Sequence, residues 1–192
     1  MCDSRGGPAL EDLRLAGRVL LVYILHIMPT DTRAGFTFFW RPDSPFSQWH
    51  PCAFVVDGVG FTCAEQFMMH GKARLFDDAA VAAEILATPD PRTHKALGRK
   101  VRGFDDRRWK AAREGIVYAG NHAKFTQTPA LHAALLATAG TRLVEASPMD
   151  RIWGIGMASS NPAATDPTKW RGLNLLGAIL TRLRDDLLAA AA

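Results

Sequence analysis

The sequence is poor in cysteine and lacks the short motifs that usually mark a metal or nucleotide site. Three cysteines among 192 residues, none in CxxC spacing, suggest neither a disulfide framework nor a zinc site, and they favour a reducing, cytoplasmic environment. No HExxH, GxSxG, P-loop or GxGxxG pattern is present. We therefore expect no metal and no bound cofactor.

Long apolar runs are also missing. Residues 18–28 form a short apolar stretch, well below the roughly 20 residues that cross a bilayer, so no membrane association is predicted. Acidic residues precede this stretch and no small-residue cleavage site follows it, which disfavours a signal peptide. We predict that residues 1–34 are an N-terminal extension. Two readings stay open: Met28 is the true initiator, or the segment adds a strand or a helix.

The chain is only mildly basic, with 23 Lys and Arg against 19 Asp and Glu and a formal net charge of +4. Nine of the basic residues lie between Arg92 and Arg113, where most are expected to form a solvated face and a subset could bind phosphate. This balance suits a small anionic substrate at least as well as a nucleic acid.

Residues 35–190 are predicted to form one compact α+β domain that is mainly α-helical, with a small β-sheet and a hairpin. Asp57-Gly58, between two apolar runs, is the dipeptide favoured in a two-residue hairpin turn. The other predicted elements are strands at 36–40 and 141–147 and helices at 63–76, 77–87, 92–101, 105–125, 129–139 and 173–188. The last helix carries an apolar stripe that is expected to face the core: Leu176, Ile179, Leu180, Leu183 and Leu187. Residues 148–172 are rich in Gly, Pro and Ser and form a loop whose length is typical of functional or disordered segments.

A carboxylate and an amine share one edge of the predicted helix at 63–76. On a helical wheel, Glu65 and Lys72 lie about 20° apart, and about 10 Å apart along the axis, beside the apolar stripe. Gln66, His70 and Arg74 are expected on the solvent side. This arrangement indicates a pocket at the rim of the buried surface.

Glu65 and Lys72 each have a simpler alternative role. Thr62-x-x-Glu65 matches a capping box, in which the glutamate satisfies the start of the helix. A lysine at such an edge often extends its stem along apolar surface and leaves its charge in water.

A second cluster of chemical groups occurs at 143–157. Glu145 ends a strand-like run, and Asp150 follows in a loop with Trp153 and a Gly-rich turn. Two carboxylates beside an aromatic face suit cleavage of a sugar bond, because one can transfer a proton while the other stabilises oxocarbenium charge. The alternative is that Asp150 caps a turn and Trp153 packs in the core.

Four stretches match one known family in order along the chain. They are DSPFSQWHPCAFVVDG at 43–58, FTCAEQFMMHGKARLF at 61–76, KFTQTPALHAALLATAGTRLVEASPMDRIWGIG at 124–156 and RGLNLLGAILTRLR at 171–184. Together they resemble the NADAR family, also called YbiA-like, from about Phe36 to Leu187. The resemblance implies N-glycosidase chemistry, the cleavage of a bond between ribose C1 and a nitrogen. Family substrates are phosphorylated riboflavin-pathway intermediates and ADP-ribose attached to guanine.

The resemblance also implies site residues. Lys72 and Glu65 fall on the helix motif of the family, and Asp150 falls on its D-x-x-WG-x-G motif, so these three are the predicted catalytic residues. The predicted substrate-binding residues are Ser47, Gln48, Trp49, Met69, Trp153, Gly154 and Asn174, with Gly177 in the same motif as Asn174. Arg41 and part of the 92–113 stretch are expected to hold a phosphate.

An amine beside apolar surface is desolvated, which lowers its pKa and frees the neutral nucleophile. We hypothesise that Lys72 attacks C1 of the opened ribose to form a Schiff base that water hydrolyses, with Glu65 or Asp150 handling the protons. The expected substrate is a phosphorylated ribosylamino-pyrimidine of riboflavin biosynthesis. Two alternatives stay open: removal of ADP-ribose from guanine, with nucleic acid taking part only as a modified substrate, and non-catalytic binding of ADP-ribose or NAD.

Overall fold

The computed structural model describes residues 31–191, which form six α-helices, five strands and two short 3₁₀ helices. The strands are β1 (Asp31–Arg33), β2 (Phe36–Phe39), β3 (Phe54–Val56), β4 (Val59–Phe61) and β5 (Arg142–Glu145). The α-helices are α1 (Ala64–Leu75), α2 (Ala79–Leu86), α3 (Pro91–Gly98), α4 (Asp106–Gln127), α5 (Pro129–Leu136) and α6 (Leu175–Ala190). The 3₁₀ helices are Pro162–Thr165 and Pro167–Lys169. The predicted α+β fold, mainly helical with small sheets, is confirmed.

The three-stranded sheet has β2 at its centre, antiparallel to β1 and parallel to β5. Its register pairs Phe39 with Glu145, so the last residues of β2 and β5 lie side by side. β1 falls within the predicted extension, and its pairing with β2 means that the sheet begins before the predicted boundary at residue 35. The apolar stretch at 18–28 and Met28 lie outside the described residues.

The predicted hairpin forms from β3 and β4, which pair in antiparallel register around Asp57 and Gly58. Both turn residues have positive φ, 50° and 77°, as a two-residue turn of type I′ requires. The rings of Phe54 and Phe61 stack with centroids 5.6 Å apart, and Phe61 meets Phe67 of α1 edge to face at 5.0 Å. The hairpin therefore packs against the first turns of α1.

Helix α1 occupies the middle of the domain, in contact with α2, α3 and α4. Met68 and Ala73 of α1 belong to the main core, together with buried side chains from each of those helices: Ile85, Leu97 and Val117. Because three helices cover α1, only part of its surface remains for an open cavity. The predicted core stripe of the last helix is also confirmed, since Leu176, Ile179, Leu180 and Leu183 are buried and Leu187 is partly buried against the same core.

The prediction that Gln66 faces solvent is wrong. Gln66 is 2 % exposed, its Oε1 accepts the backbone N–H of Thr62 at 2.7 Å, and its Nε2 donates to the carbonyl oxygens of Ile85 and Thr88 at 3.0 Å each. The wheel could not anticipate this, because the end of α2 and the residues after it cover that side of α1.

The capping-box alternative for Glu65 is also wrong. Helix α1 begins after Cys63, which makes no side-chain capping bond, and Gln66 rather than Glu65 accepts the N–H of Thr62. The carboxylate of Glu65 is therefore not used in capping the helix.

Helix α5 ends at Leu136, three residues before the predicted end at 139. Residues 137–140 form turns, and the last of them, Gly140, has a φ of 79°. Between residues 31 and 191, no helix has the length and apolar character needed to span a membrane.

Candidate active site

A cavity of about 510 Å³ opens where one side of α1 faces the loops after β2 and β5. Its wall carries three tryptophans, three carboxylates and four basic side chains. The tryptophans are Trp40, Trp49 and Trp153; the carboxylates are Glu65, Glu145 and Asp150; the basic residues are Arg41, Lys72, Lys95 and Arg99. Aromatic faces, acids and cations in one concave site suit a phosphorylated ligand with a flat ring.

Eight of the ten predicted site residues line this cavity. They are Lys72, Glu65, Asp150, Ser47, Gln48, Trp49, Met69 and Trp153. The chain brings them together from three separate places: α1, the loop after β2 and the loop after β5. The shared edge of the helical wheel thus predicted the side of α1 that borders a cavity.

Gly154 and Asn174, predicted to bind substrate, lie behind the cavity wall instead. A Cβ on Gly154 would lie 2.8 Å from the carbonyl oxygen of Glu145, so the glycine allows two backbone segments to meet. Asn174 is fully buried; its Oδ1 accepts the N–H of Glu145 at 3.0 Å and its Nδ2 donates to the carbonyl oxygen of Leu143 at 3.1 Å. Both residues hold β5 in place rather than contact the cavity.

Lys72 lines the cavity and is half-buried beside two aromatic rings. Its Nζ donates to the backbone carbonyl oxygen of Gly98 at 2.7 Å and lies 4.3 Å from the ring centroid of Phe104 and 5.7 Å from that of Trp109. Burial lowers its pKa from the usual lysine value. Within the described part of the chain it forms no ion pair, so no carboxylate holds the amine in its charged form.

Glu65 is 4 % exposed and faces the same cavity. Burial raises its pKa to about 7, and the nearby charge of Asp150 adds to the rise, while Lys95 and the indole of Trp49 act in the opposite direction. A carboxyl group with a pKa near neutrality can both give and take a proton at physiological pH.

Glu145 was paired with Asp150 in the sequence as one of two carboxylates suited to sugar-bond cleavage, but it was not among the site residues that the family resemblance implied. In the structure it lines the cavity, and its Oε2 is buried without a hydrogen-bond partner among residues 31–191. Burial, followed by the charges of Asp150 and Glu65, raises its pKa to about 8. The signal that could have found it is its position at the end of β5, where side chains enter the same loop cluster as Asp150.

Asp150 shapes the loop that it belongs to. Its Oδ1 accepts the backbone N–H groups of Ile152 and Trp153, both at 2.8 Å. The turn closed by these two bonds presents both side chains to the cavity. Asp150 therefore caps a turn, as the simpler alternative expected, and it also lines the cavity.

Two hydrogen bonds to backbone carbonyl oxygens hold the loop after β2 in place. The N–H of Glu65 donates to the carbonyl oxygen of Gln48 at 2.9 Å, and Nζ of Lys124 donates to the carbonyl oxygen of Ser47 at 2.8 Å. Lys124 is fully buried, which lowers its pKa to about 8. It was not predicted from the sequence, where it reads as an ordinary helical lysine.

The basic side chains between Arg92 and Arg113 make different contacts. Lys95 of α3 and Arg99, the residue that follows α3, line the cavity with their exposed side chains. Arg102 instead binds the buried carboxylate of Asp78 at 2.7 Å. Arg113 is buried, with its guanidinium 5.8 Å from the ring centroid of Trp153. Within this stretch, Lys95 and Arg99 therefore fit the expected phosphate-binding subset.

Comparison with known proteins gives the class. The sequence model described as the NADAR domain matches residues 38–188. The chain belongs to the NADAR family, as its four sequence motifs predicted.

Individual relatives agree in fold and in chemistry. The chain is 40 % identical over 146 residues to the N-glycosidase R617 of Acanthamoeba polyphaga mimivirus, covering 73 % of this chain and 86 % of the viral protein. It is 29 % identical over 164 residues to the N-glycosidase YbiA of Escherichia coli, covering 85 % and 93 %. The NMR structure of E. coli YbiA superimposes with a TM-score of 0.68 at 26 % identity, over 84 % of this chain and 90 % of that one. The prediction of an enzyme of the N-glycosidase class is confirmed by these similarities.

A third relative is named after a biosynthetic pathway. The chain is 28 % identical over 153 residues to the riboflavin biosynthesis protein VVA0006 of Vibrio vulnificus, which covers 78 % of this chain but 38 % of that protein. This chain therefore matches one part of a longer protein.

Proposed function

We propose that this protein hydrolyses the bond between ribose C1 and nitrogen in a phosphorylated ribosylamine, with a ribosylamino-pyrimidine of riboflavin biosynthesis as the preferred substrate. The observation that carries the proposal is Lys72, a half-buried amine whose hydrogen-bond partner among residues 31–191 is the neutral carbonyl oxygen of Gly98, in one cavity with three carboxylates. A site that only binds its ligand has no need of a nucleophile.

The amine of Lys72 supplies the electron pair for the first step. Its lowered pKa increases the neutral fraction, and the neutral amine leaves Gly98 to attack C1 of the opened ribose. The C1–N bond to the base breaks as the leaving nitrogen gains a proton, and Lys72 is left in a Schiff base with the sugar. Water then adds to C1, and breaking of the C–N bond to Lys72 restores the amine.

Glu65 is placed to move protons in this sequence. It is buried beside the cavity and has a pKa of about 7, so both protonation states are present near neutral pH. Asp150 supports the site through its charge and through the turn that carries Trp153.

Substrate recognition follows from the remaining wall residues. Lys95, Arg99 and Arg41 place positive charge on the wall of the cavity, where a phosphate can accept hydrogen bonds from them. Trp49 and Trp153 offer flat faces for a pyrimidine ring. A volume of about 510 Å³ lies in the lower half of the roughly 300–1,000 Å³ of small-molecule sites, which suits one ribosylamine phosphate. The riboflavin name of the Vibrio relative supports the same choice.

A second candidate is removal of ADP-ribose from guanine. The observation that favours it is the apolar rim of the cavity, where Met149 is 89 %, Ile152 46 % and Trp40 42 % exposed. These side chains extend the binding surface beyond the enclosed volume and can receive a second ring system.

Parallel assays with two substrates test the proposal. The purified protein is incubated with a ribosylamino-pyrimidine 5′-phosphate and, separately, with ADP-ribosylated guanosine, and the release of ribose 5-phosphate or ADP-ribose is measured. We expect faster turnover of the first substrate. Faster release of ADP-ribose would select the second candidate, and binding without release from either substrate would refute glycosidase activity.

Borohydride reduction tests the covalent step. Reduction during turnover is expected to fix the sugar on Lys72, as seen by peptide mass spectrometry. Lys72→Ala should lose about 10³-fold or more in rate, and no adduct should form. Lys100→Ala is the matched control, because Lys100 is an exposed lysine of the same basic stretch and does not line the cavity.

A further inference from the structure

The carboxyl group of Glu145 has the surroundings of a proton donor. It is distinct from Glu65 and Asp150, the two carboxyl groups predicted to be catalytic from the family resemblance. It lines the cavity beside Glu65 and Asp150, and its Oε2 is buried without a partner in the described residues. An ionised oxygen left in this state costs free energy, whereas a protonated one can donate to a ligand.

Both backbone polar groups of Glu145 are hydrogen-bonded. Its N–H donates to Oδ1 of Asn174 at 3.0 Å, and its carbonyl oxygen accepts the N–H of Ile155 at 2.9 Å. The next residue, Ala146, donates its N–H to the carbonyl oxygen of Phe39 at 2.8 Å. These bonds fix the origin of the side chain, so the carboxyl group is pre-positioned at the cavity while its own oxygen stays free.

The three carboxylates in the cavity are not equivalent. Oδ1 of Asp150 already accepts two backbone N–H groups, and Glu65 lies within reach of Lys95 and the indole of Trp49, which favour its ionised form. Glu145 has a free buried oxygen, and the carboxylates of Asp150 and Glu65 both disfavour its ionised form.

We propose that Glu145 is the general acid that protonates the leaving nitrogen when the C1–N bond breaks. This assignment rests on the proposed N-glycosidase function. The neutral carboxyl group gives its proton to the nitrogen, which departs with the electron pair of the C1–N bond. The resulting carboxylate then takes a proton from the water that adds to C1 of the Schiff base. One proton leaves and one returns, so Glu145 ends the cycle in its starting form.

The charged groups around Glu145 set the pH at which this acid is available. Glu65 comes from α1, Lys95 from α3 and Asp150 from the loop after β5, while Lys72, Arg41 and Arg99 line the same cavity. Burial and the two acidic neighbours raise the pKa of Glu145 to about 8, with Lys95 opposing them, so the proton is present at neutral pH and lost above it.

The test compares the wild type with Glu145→Gln, which keeps the shape of the side chain but cannot give up a proton in this way. We expect kcat on the ribosylamine phosphate to fall about 10²- to 10⁴-fold, the range for loss of a general acid. The wild-type kcat/KM should decline above pH about 8, and the variant should lack that decline. Glu84→Gln, the same change at an exposed glutamate of α2, is the control and should match the wild type.

Borohydride trapping with ribose 5-phosphate separates the possible results, because this free sugar has no base to expel. We expect Glu145→Gln to trap the sugar on Lys72 as the wild type does. A variant with wild-type turnover and pH profile would overturn the role of Glu145 while leaving the N-glycosidase proposal intact. A variant that fails in both turnover and trapping would also overturn it, since the loss would not be specific to the leaving group. A wild-type protein without turnover and without trapping would overturn both proposals.

Discussion

Nζ of Lys124 donates a hydrogen bond to the carbonyl oxygen of Ser47 over 2.8 Å, although Lys124 is fully buried and forms no ion pair with a carboxylate of residues 31–191. Helix α4 thereby holds the loop that brings Gln48 and Trp49 to the cavity. The cost of this arrangement is a buried ammonium group, and burial lowers the pKa of Lys124 to about 8.

The pKa of Lys124 predicts a specific dependence of stability on pH. Between pH about 8 and 10.5 the unfolded chain keeps the lysine proton that the folded chain has lost, so this group makes stability rise with pH. In Lys124→Met that contribution should vanish, and the melting temperature relative to the wild type should fall steadily across this range. Lys110→Met, at an exposed lysine paired with Asp106, should show a constant difference. Equal slopes for all three proteins would contradict the prediction.

Gln66 is expected to be among the most important polar residues for stability. Gln66→Ala leaves the buried carbonyl oxygen of Ile85 without its side-chain donor, at about 1–3 kcal/mol. It also removes one of the two contacts of the carbonyl oxygen of Thr88, which keeps Nε2 of His94 at 2.6 Å. Gln127 makes a similar pair of bonds to Val55 at the surface, where water can replace it, so Gln127→Ala should cost much less. Urea unfolding measures both, and a smaller loss for the Gln66 variant would refute the reasoning.

Two glycines in helices should respond to alanine with opposite signs. A Cβ on Gly177 would lie 2.2 Å from the carbonyl oxygen of Leu143 and 2.5 Å from the side-chain amide of Asn174. We expect Gly177→Ala to destabilise the protein by about 1–3 kcal/mol through overpacking and to reduce turnover, because Asn174 holds the backbone of Glu145.

Gly115 is the matched position, since a Cβ there meets nothing within 4 Å. Gly115→Ala should stabilise the protein by about 0.5–1 kcal/mol without affecting turnover, because alanine favours the helix more than glycine does. Thermal unfolding and the glycosidase assay check both variants. Destabilisation of equal size at the two positions would contradict this account of Gly177.

The buried carboxyl group of Glu145 should make the wild type lose stability as pH rises. Its pKa is raised to about 8 from an ordinary value near 4.5, so the folded state holds a proton that the unfolded state releases, and stability falls across this window. Glu145→Gln should therefore gain melting temperature relative to the wild type between pH 5 and 8, while Glu84→Gln should not. A constant difference for Glu145→Gln would show that its carboxyl group is not desolvated in the folded protein.

Much of the fold was accessible from local patterns. The Asp57-Gly58 turn and the leucine stripe of α6 were predicted correctly, because each depends on residues close in sequence. The burial of Gln66 was not predicted, because α2 and the residues after it cover that face of α1 and supply the acceptors of the amide.

The candidate site, like the fold, was predicted in part from the sequence. Motifs on α1 and in the two loops predicted eight residues that line the cavity, including Lys72, Glu65 and Asp150. Gly154 and Asn174 belong to those motifs, but they serve the packing of β5, which a motif alone does not distinguish from contact with substrate.

The sequence by itself determined the family, the order of the helices and strands from β2 to α6, and the edge of α1 that carries a carboxylate and an amine. These features depend on periodicity and on short motifs. Only the tertiary structure decided which groups are desolvated, because burial depends on the segments that pack from elsewhere in the chain. Because of that packing, Gln66 accepts the N–H of Thr62 at the start of α1, and Lys124 is buried with its amine bonded to Ser47. Oε2 of Glu145 is buried without a hydrogen-bond partner among residues 31–191.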